Sequence, residues 1–534
     1  MKRTNLLWIT ALVLGWLFDF LFWKHTPGIN FAVYAVLCLG GGFLVLALNG
    51  IKPAWKSLLL LAPILFFAAM TFVRREPMSL FLAYAFTLTL MGILVQTYLG
   101  GRWLKYSLSD YVVNFFKMMG SLIARPIIFL TERKKQEGES PDPAAPAPRS
   151  GWKRTWAVLR GLLIALPIVA VFAALLSSAD LIFAERLDEF IKMFRLEKLP
   201  EYIFRLIYIL IGAYMLAGLF LHAAQKSRDE SLIGEDKPLA PAFLGFTEAA
   251  VVLGAVNLLF LAFVFVQFRY FFGGQANISV EGYTFSEYAR RGFGELVMVA
   301  VFSLLMFLSL SAVTKRETAA QRWTFSGLGV LLVALVGVML FSAFQRLSLY
   351  EAAYGFSRMR TYPHVFMIWL GILLAAVAVL DILRKERFFA LAAMLASVGF
   401  ALTLTLLNVD GFIVRQNIAR AADGEGLDVP YLASLSTDAV PALAAAYTDE
   451  SLPGYTLDAV GAALVCWQYR NSGDGDTDWR AFTLSGWLAE QALQQARRNV
   501  NSQLSGYRIS DSDYPAKVLT PGSIYYECYQ TYSD

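Results

Sequence analysis

Residues Glu281–Leu310 read EGYTFSEYARRGFGELVMVAVFSLLMFLSL. The stretch opens polar and aromatic, with Tyr283, Tyr288 and the pair Arg290–Arg291, then runs unbroken into apolar residues. Glu295 stands where water should give way to hydrocarbon. A helix apolar on every face for about 20 residues fits a lipid bilayer and not an aqueous surface. The passage assigns the chain to the all-α integral membrane proteins, and its pattern recurs on both sides.

Toward the N-terminus, apolar runs fall at Leu6–Phe22, Phe31–Leu48, Leu58–Val73, Leu80–Leu99, Gly161–Leu176, Leu206–Leu221 and Phe243–Val266. Toward the C-terminus they fall at Phe325–Phe344, Val365–Leu380 and Phe389–Leu407. With Leu296–Val313 that makes about eleven expected transmembrane helices. The first run precedes no small-residue cleavage site, since Trp23, Lys24 and His25 follow it, so it is read as a retained helix. Composition agrees. Of 534 residues, 57% are hydrophobic and only 16% charged, against about 25% charged in soluble domains.

Four parts follow. Residues 1–131 hold helices 1–4 and an amphipathic piece, WLKYSLSDYVVNFFKMMGSLIARPIIFL, whose Lys117 and Arg125 favour a helix lying in the membrane interface over a span. Residues 132–156, charged and then rich in Pro and Ala, read as a disordered cytoplasmic linker. Residues 157–407 carry helices 5–11, with a second amphipathic segment from Leu181 to Phe194. Residues 408–534 are far less apolar and read as a small, mainly helical domain, with Asp438 and Ser436–Thr437 as helix caps.

Charge gives the orientation. With the N-terminus cytoplasmic, the inner segments hold 23 Lys and Arg and the outer segments before residue 408 hold 13. Positive residues favour the cytoplasmic side, so an odd span count places the C-terminal domain outside the cytoplasm. There Cys466 and Cys528 can pair as a disulfide, while Cys38 lies in the second span.

Several phrases stand out as a set: TFSEYARRGFGEL, LSLYEAAYGFSRMRTYPHVF, LNVDGFIVRQNIAR and LDVPYLASLSTDAVPAL. Their core elements fall on Glu287–Arg290, Leu349–Gly355 and Asn408–Arg420. Together they resemble a bacterial family of multi-pass membrane proteins catalogued as a domain of unknown function, over roughly Pro241–Leu443. The resemblance implies membrane placement and topology class, and no activity; the expected location is a bacterial inner membrane.

The expected topology brings charged residues to one side. Arg269, Glu281, Glu287, Arg290, Arg291 and Glu295 come from one outer segment, Arg346, Glu351, Arg358 and Arg360 from the next, and Asp410 and Arg415 from the last. One reading is an outward-facing vestibule for an envelope component such as a lipid head group. The other, favoured here, is an ion-pair network that seats the outer loops on the helix ends. Glu248 and Asn257 lie nine residues apart within one span and so face nearly opposite sides. Glu248 is expected to reach water or a Lys, and Asn257 to bond another helix. Asp19 and Asp381 end their spans and should reach the interface.

Chemistry is sparse. Three widely spaced histidines give no metal-ligand spacing, G-x-x-x-x-G-K-[ST] and G-x-G-x-x-G are absent, and His364 has no acid at a fixed spacing. No catalytic residue, metal or cofactor is expected, nor any nucleic-acid partner. The expected surroundings are the bilayer and other envelope proteins. The expectation is a non-catalytic sensor, scaffold or envelope-maintenance factor. The alternative is a transporter or lipid-handling protein, weakened by the lack of an internal repeat. A membrane transferase would need Glu287 or Glu295 as its base.

Overall fold

The computed structural model describes residues 3–139, single positions between 161 and 186, and residues 198–228, 232, 242–271, 293–472, 478–498, 506–510 and 515–529. The first helices are α1 (Thr4–Phe22), α2 (Ile29–Leu48), α3 (Trp55–Leu58), α4 (Leu61–Val73), α5 (Pro77–Gln96) and α6 (Leu108–Glu139). Then come α7 (Leu199–Gln225), α8 (Phe246–Phe271), α9 (Phe293–Val313), α10 (Ala319–Tyr354), α11 (Arg358–Ile382) and α12 (Phe389–Leu407). Among the described residues, eleven helices are long and apolar enough to cross a membrane. The protein is an all-α, multi-pass membrane protein.

The number matches the expected count, but the set differs. Leu108–Glu132 of α6 qualifies as a span by length and composition, where Lys117 and Arg125 had suggested an interfacial helix. The expected span Gly161–Leu176 and the amphipathic segment after it fall largely outside the described residues. The helix also runs on through 132–139, residues assigned above to the linker. The third expected span is broken into α3 and α4. Pro63 lies just inside the restart, and a proline ring clashes with the carbonyl four residues earlier, here that of Leu59.

Helix α8 shows why the bundle needs lipid. Ala249, Leu253 and Asn257 are buried toward α10, while Val251, Leu258 and Phe265 are 65%, 69% and 77% exposed on another face. Both faces are apolar, which water would not tolerate.

Two compact units divide the chain: Met1–Phe20 with Met118–His222, and Leu21–Lys117 with Ala223–Asp534. In the first, Asp19 is 2% exposed and bound by Arg205 and Tyr208 of α7. It is a buried ion pair rather than a carboxylate open to water, because an enclosed charge needs a partner. Also in this unit, Gly218 lets α7 approach Leu122 of α6, where an added Cβ would lie 2.5 Å from a carbonyl oxygen.

In the second unit, α8 to α11 share one apolar core, and α4, α5 and α12 a second. A third core continues from Val365 of α11 and Leu404 of α12 into a C-terminal domain. That domain holds α13 (Val409–Ala422), α14 (Val429–Ala433), α15 (Val440–Tyr447), α16 (Gly454–Arg470) and α17 (Leu484–Arg498). The Tyr- and Ser-rich stretch after it forms a small antiparallel sheet: β1 (Arg508–Ser510), β2 (Lys517–Leu519) and β3 (Tyr525–Glu527), with β2 central. Val518 opposes Ile509 and Tyr526 in register and is fully buried in the domain core. Cys466 of α16 is bridged to Cys528 just after β3, 62 residues on. Cys38 is a buried free thiol.

A loop of that size gives a cross-link worth roughly 4 kcal/mol in the chain-entropy account. Replacing both cysteines with alanine should therefore lower the unfolding midpoint of the domain, measured as protease resistance of residues 408–534 against temperature. An unchanged midpoint would show that packing of the sheet alone holds the domain closed.

Candidate functional site

On one end of the second unit, several hydrogen bonds converge on the turn at residues 436–438. Glu76 is the N-cap of α5, its side chain accepting from the N–H groups of Met78 (2.8 Å) and Ser79 (2.7 Å), with Pro77 at the first helical position. The backbone N–H groups of Arg75 and Glu76 in turn donate to Asp438 Oδ2, at 2.7 and 2.9 Å. Tyr362 of α11 donates its hydroxyl to Glu76. One turn earlier on α11, Arg358 Nε donates to Asp410 Oδ1 at 2.7 Å and Nη2 to Oδ2, a two-pronged pair. Asp410 Oδ2 also accepts the Ser436 N–H at 2.8 Å, which returns the path to Asp438. The circuit is closed.

Its logic is local before it is tertiary. Glu76 and Asp410 lie at or near the N-termini of α5 and α13, where unpaired N–H groups and the helix dipole favour a carboxylate. Asn408 makes the joint between α12 and α13 in a single left-handed residue (φ 51°), and its side chain accepts from Gly411 N–H. Gly355 closes α10 at φ 80°, and an added Cβ would lie 2.6 Å from Asn417 Oδ1. Asn417 brackets Phe356 through both its N–H and its carbonyl. Burial raises the Tyr431 phenol above its ordinary value, so it stays protonated while it accepts the Arg358 N–H.

The expected cluster is thus divided. Arg358 and Asp410 meet. Arg360 turns instead to the Tyr354 carbonyl at 2.9 Å and stacks on the Tyr350 ring. Arg346 reaches Gln267 of α8 at 2.8 Å. Arg415 and Glu295 are exposed. Glu281, Glu287, Arg290 and Arg291 lie outside the described residues, as does the side chain of Arg269. Asn257 donates to the Leu328 carbonyl of α10 at 2.9 Å, bonding helix to helix. Glu248, exposed at the start of α8, accepts the Gly245 N–H. Asp381 is 4% exposed and held by Arg316 and Ser326 rather than open to water. Asp438 caps nothing of its own; Ser436 does that, which frees Asp438 to reach the loop before α5.

His364 has an acid after all. Nδ1 lies 3.4 Å from Glu351 Oε1 and 3.2 Å from the Arg360 carbonyl, while Nε2 lies 3.2 Å from Ser348 Oγ. Sequence spacing missed this because Ser348 and Glu351 share one helix and His364 comes from the next. The arrangement has the outline of a nucleophile, base and orienting acid. It lacks the rest. Ser348 sits in the body of α10, where neighbouring N–H groups are spent on the helix, and its hydroxyl is 3.0 Å from the Phe344 carbonyl. Among the described residues no group of three His, Cys, Asp or Glu could hold a metal.

A family model described as a domain of unknown function, DUF4153, matches residues 61–446, well over half of the chain. The chain belongs to the DUF4153 family. The DUF4153 match begins well before the phrases that carried the resemblance, and every member of the closed circuit, from Glu76 to Asp438, falls within it. The disulfide lies beyond it. No curated protein and no solved structure matches the chain.

Asp410 is fully buried, whereas the Arg358 side chain is 22% exposed. Removing one partner of such a pair costs roughly 3–5 kcal/mol when it leaves a buried charge alone. Arg358→Met should therefore lower the thermal midpoint in detergent more than Asp410→Ala, since the freed arginine can reach water and the freed aspartate cannot. The double variant Arg358→Met/Asp410→Leu should recover much of the loss. Equal single effects with no recovery would mean that packing, not the ion pair, joins α11 to the domain.

Proposed function

We propose that this is a bacterial cytoplasmic-membrane protein that holds an extracytoplasmic domain as a fixed platform, acting as a non-catalytic envelope scaffold or maintenance factor. The closed circuit carries this reading. It ties the loop before α5, the start of α11 and the start of α13 to one turn of the domain, so the helix ends and the domain form one piece. A transporter that rocks one bundle against another needs such ends to separate. Here a single movement would break several buried hydrogen bonds at once, which favours a scaffold over alternating access.

Sidedness rests on two supports. The disulfide fits an oxidising compartment for the domain. The opposite end of the unit gathers Lys56, Lys105, Lys315, Arg316, Arg384 and Lys385, as the cytoplasmic face should. Contacts at that end place the residues after α5 and after α7 together, through Leu99 N–H and Ser227 Oγ. The chain between them then crosses the bilayer an even number of times. With α7 as one crossing, only one of α6 and the run Gly161–Leu176 supplies the other. The total stays odd, and the N-terminus is cytoplasmic.

A reporter that works only outside the cytoplasm, fused after Asp534, should be active, and a membrane-impermeant label should reach a cysteine introduced at Tyr455. A silent reporter together with an inaccessible Tyr455→Cys would reverse the assignment. As for the platform, Glu76→Gln paired with Asp438→Asn should weaken envelope integrity, scored as detergent sensitivity of the cells, while the protein remains inserted. Intact envelopes with a loosened domain would sink the scaffold reading.

A further inference from the structure

At the end of the second unit away from the domain, an open pocket of about 310 Å³ lies between the start of α10 and the end of α11. Its charges are not equivalent. Asp381 is spoken for: Arg316 Nη1 donates to it at 3.1 Å and Ser326 Oγ at 2.5 Å. Arg316 is spoken for as well. It reaches the Ser311 carbonyl at 2.9 Å and Glu386 at 3.6 Å, and lies over the Phe325 ring. That leaves two cations in the lining, Arg322 and Arg384. Arg322 Nη2 makes one long contact, 3.3 Å to the Glu317 carbonyl, and its Nε is shielded from water without an acceptor among the described residues. Arg384 is exposed and holds the left-handed conformation (φ 57°) that closes α11. A bulky side chain in that region is an uncommon choice. It carries the guanidinium past the helix end to the pocket.

The rim adds the second half. Trp323 is 62% exposed and Ile382 41% exposed, and both line the same pocket. An exposed tryptophan at the end of a transmembrane helix marks the headgroup level of the bilayer. The mouth is thus apolar where acyl chains begin and cationic where phosphates lie. Arginine's fork matches phosphate oxygens two at a time, and a shielded Nε without an acceptor is the group such an oxygen would satisfy.

We propose that this pocket binds the phosphate of an anionic phospholipid, with Arg322 and Arg384 as the ligating residues, Arg316–Asp381 as the neutralised floor that positions them, and Trp323 at the mouth. The site needs only the membrane placement of the chain and is independent of the scaffold reading. Basic pockets between helix ends are the usual form of such lipid sites.

The test uses the full chain purified in a neutral detergent and native mass spectrometry. Phosphatidylglycerol should bind in preference to phosphatidylcholine. Each of Arg322→Gln and Arg384→Gln should weaken that binding about fivefold, the value of one basic residue near 1 kcal/mol, and the double variant should remove the preference. Arg384→Lys should keep part of it, since the charge stays and the fork is lost. Equal binding of the two lipids, or a double variant that binds as the wild type does, overturns the site. Displacement of the lipid by inorganic phosphate at equal concentration assigns the pocket to a soluble phosphate instead and overturns the lipid. Should the variants fold poorly, a photoactivatable phosphatidylglycerol on the wild-type chain decides. Labelling of the peptide around Trp323 supports the proposal, and labelling only elsewhere ends it.

Discussion

A buried carboxylate needs a partner, and here that need organises the junction between membrane and domain. Asp410 is fully enclosed, so it must be neutralised, and Arg358 is the residue that reaches it. Once those two are fixed, α11 and α13 are aligned end to end. Tyr362 and Ser436 then lie within one turn or one bond of the pair, and they extend it to Glu76 and Asp438. None of these contacts is strong alone, and a surface ion pair of the same kind would contribute about 1 kcal/mol or less. Enclosure changes that, because the alternative to each contact is an unsolvated polar group.

The two ends of the second unit handle charge in different ways. Toward the domain, basic residues are matched: Arg358 by Asp410, Arg74 by Asp438 and the Thr405 carbonyl, Arg420 by the carbonyls of Ala352 and Ala353. At the other end the loops carry more Lys and Arg than acids, and several side chains donate to backbone carbonyls across the helix ends. Ser57 meets Thr97, Trp103 meets the Lys56 carbonyl, and Arg387 meets the Lys105 carbonyl. One end is built to join, while the other leaves cations such as Arg384 and Lys385 exposed.

Helix placement was legible because hydrocarbon demands a long apolar run, and that demand leaves a direct trace in sequence. The run Phe389–Leu407 has the same bounds in the structure. The fate of polar residues was less legible. Asp19 and Asp381 looked like span ends reaching for water, yet each found an arginine far along the chain, and no periodic pattern announces such a partner. Glu76 was passed over, although Glu-Pro ahead of an apolar run is a recognisable helix start, and Asp438 was read as a cap for its own helix rather than as a partner for a distant loop. The Ser348–His364–Glu351 grouping needed two helices to be laid side by side before it existed at all.

Only Asn408 separates α12 from α13. With no slack between them, the domain inherits the rotational phase of a membrane helix. One added residue there would turn everything beyond it by about 100° and advance it by about 1.5 Å. Asp410 would then point away from Arg358, and the mismatch could not be absorbed by a flexible tether. The joint behaves like a keyed shaft: the orientation of the domain about the helix axis is set by the rotation of α12.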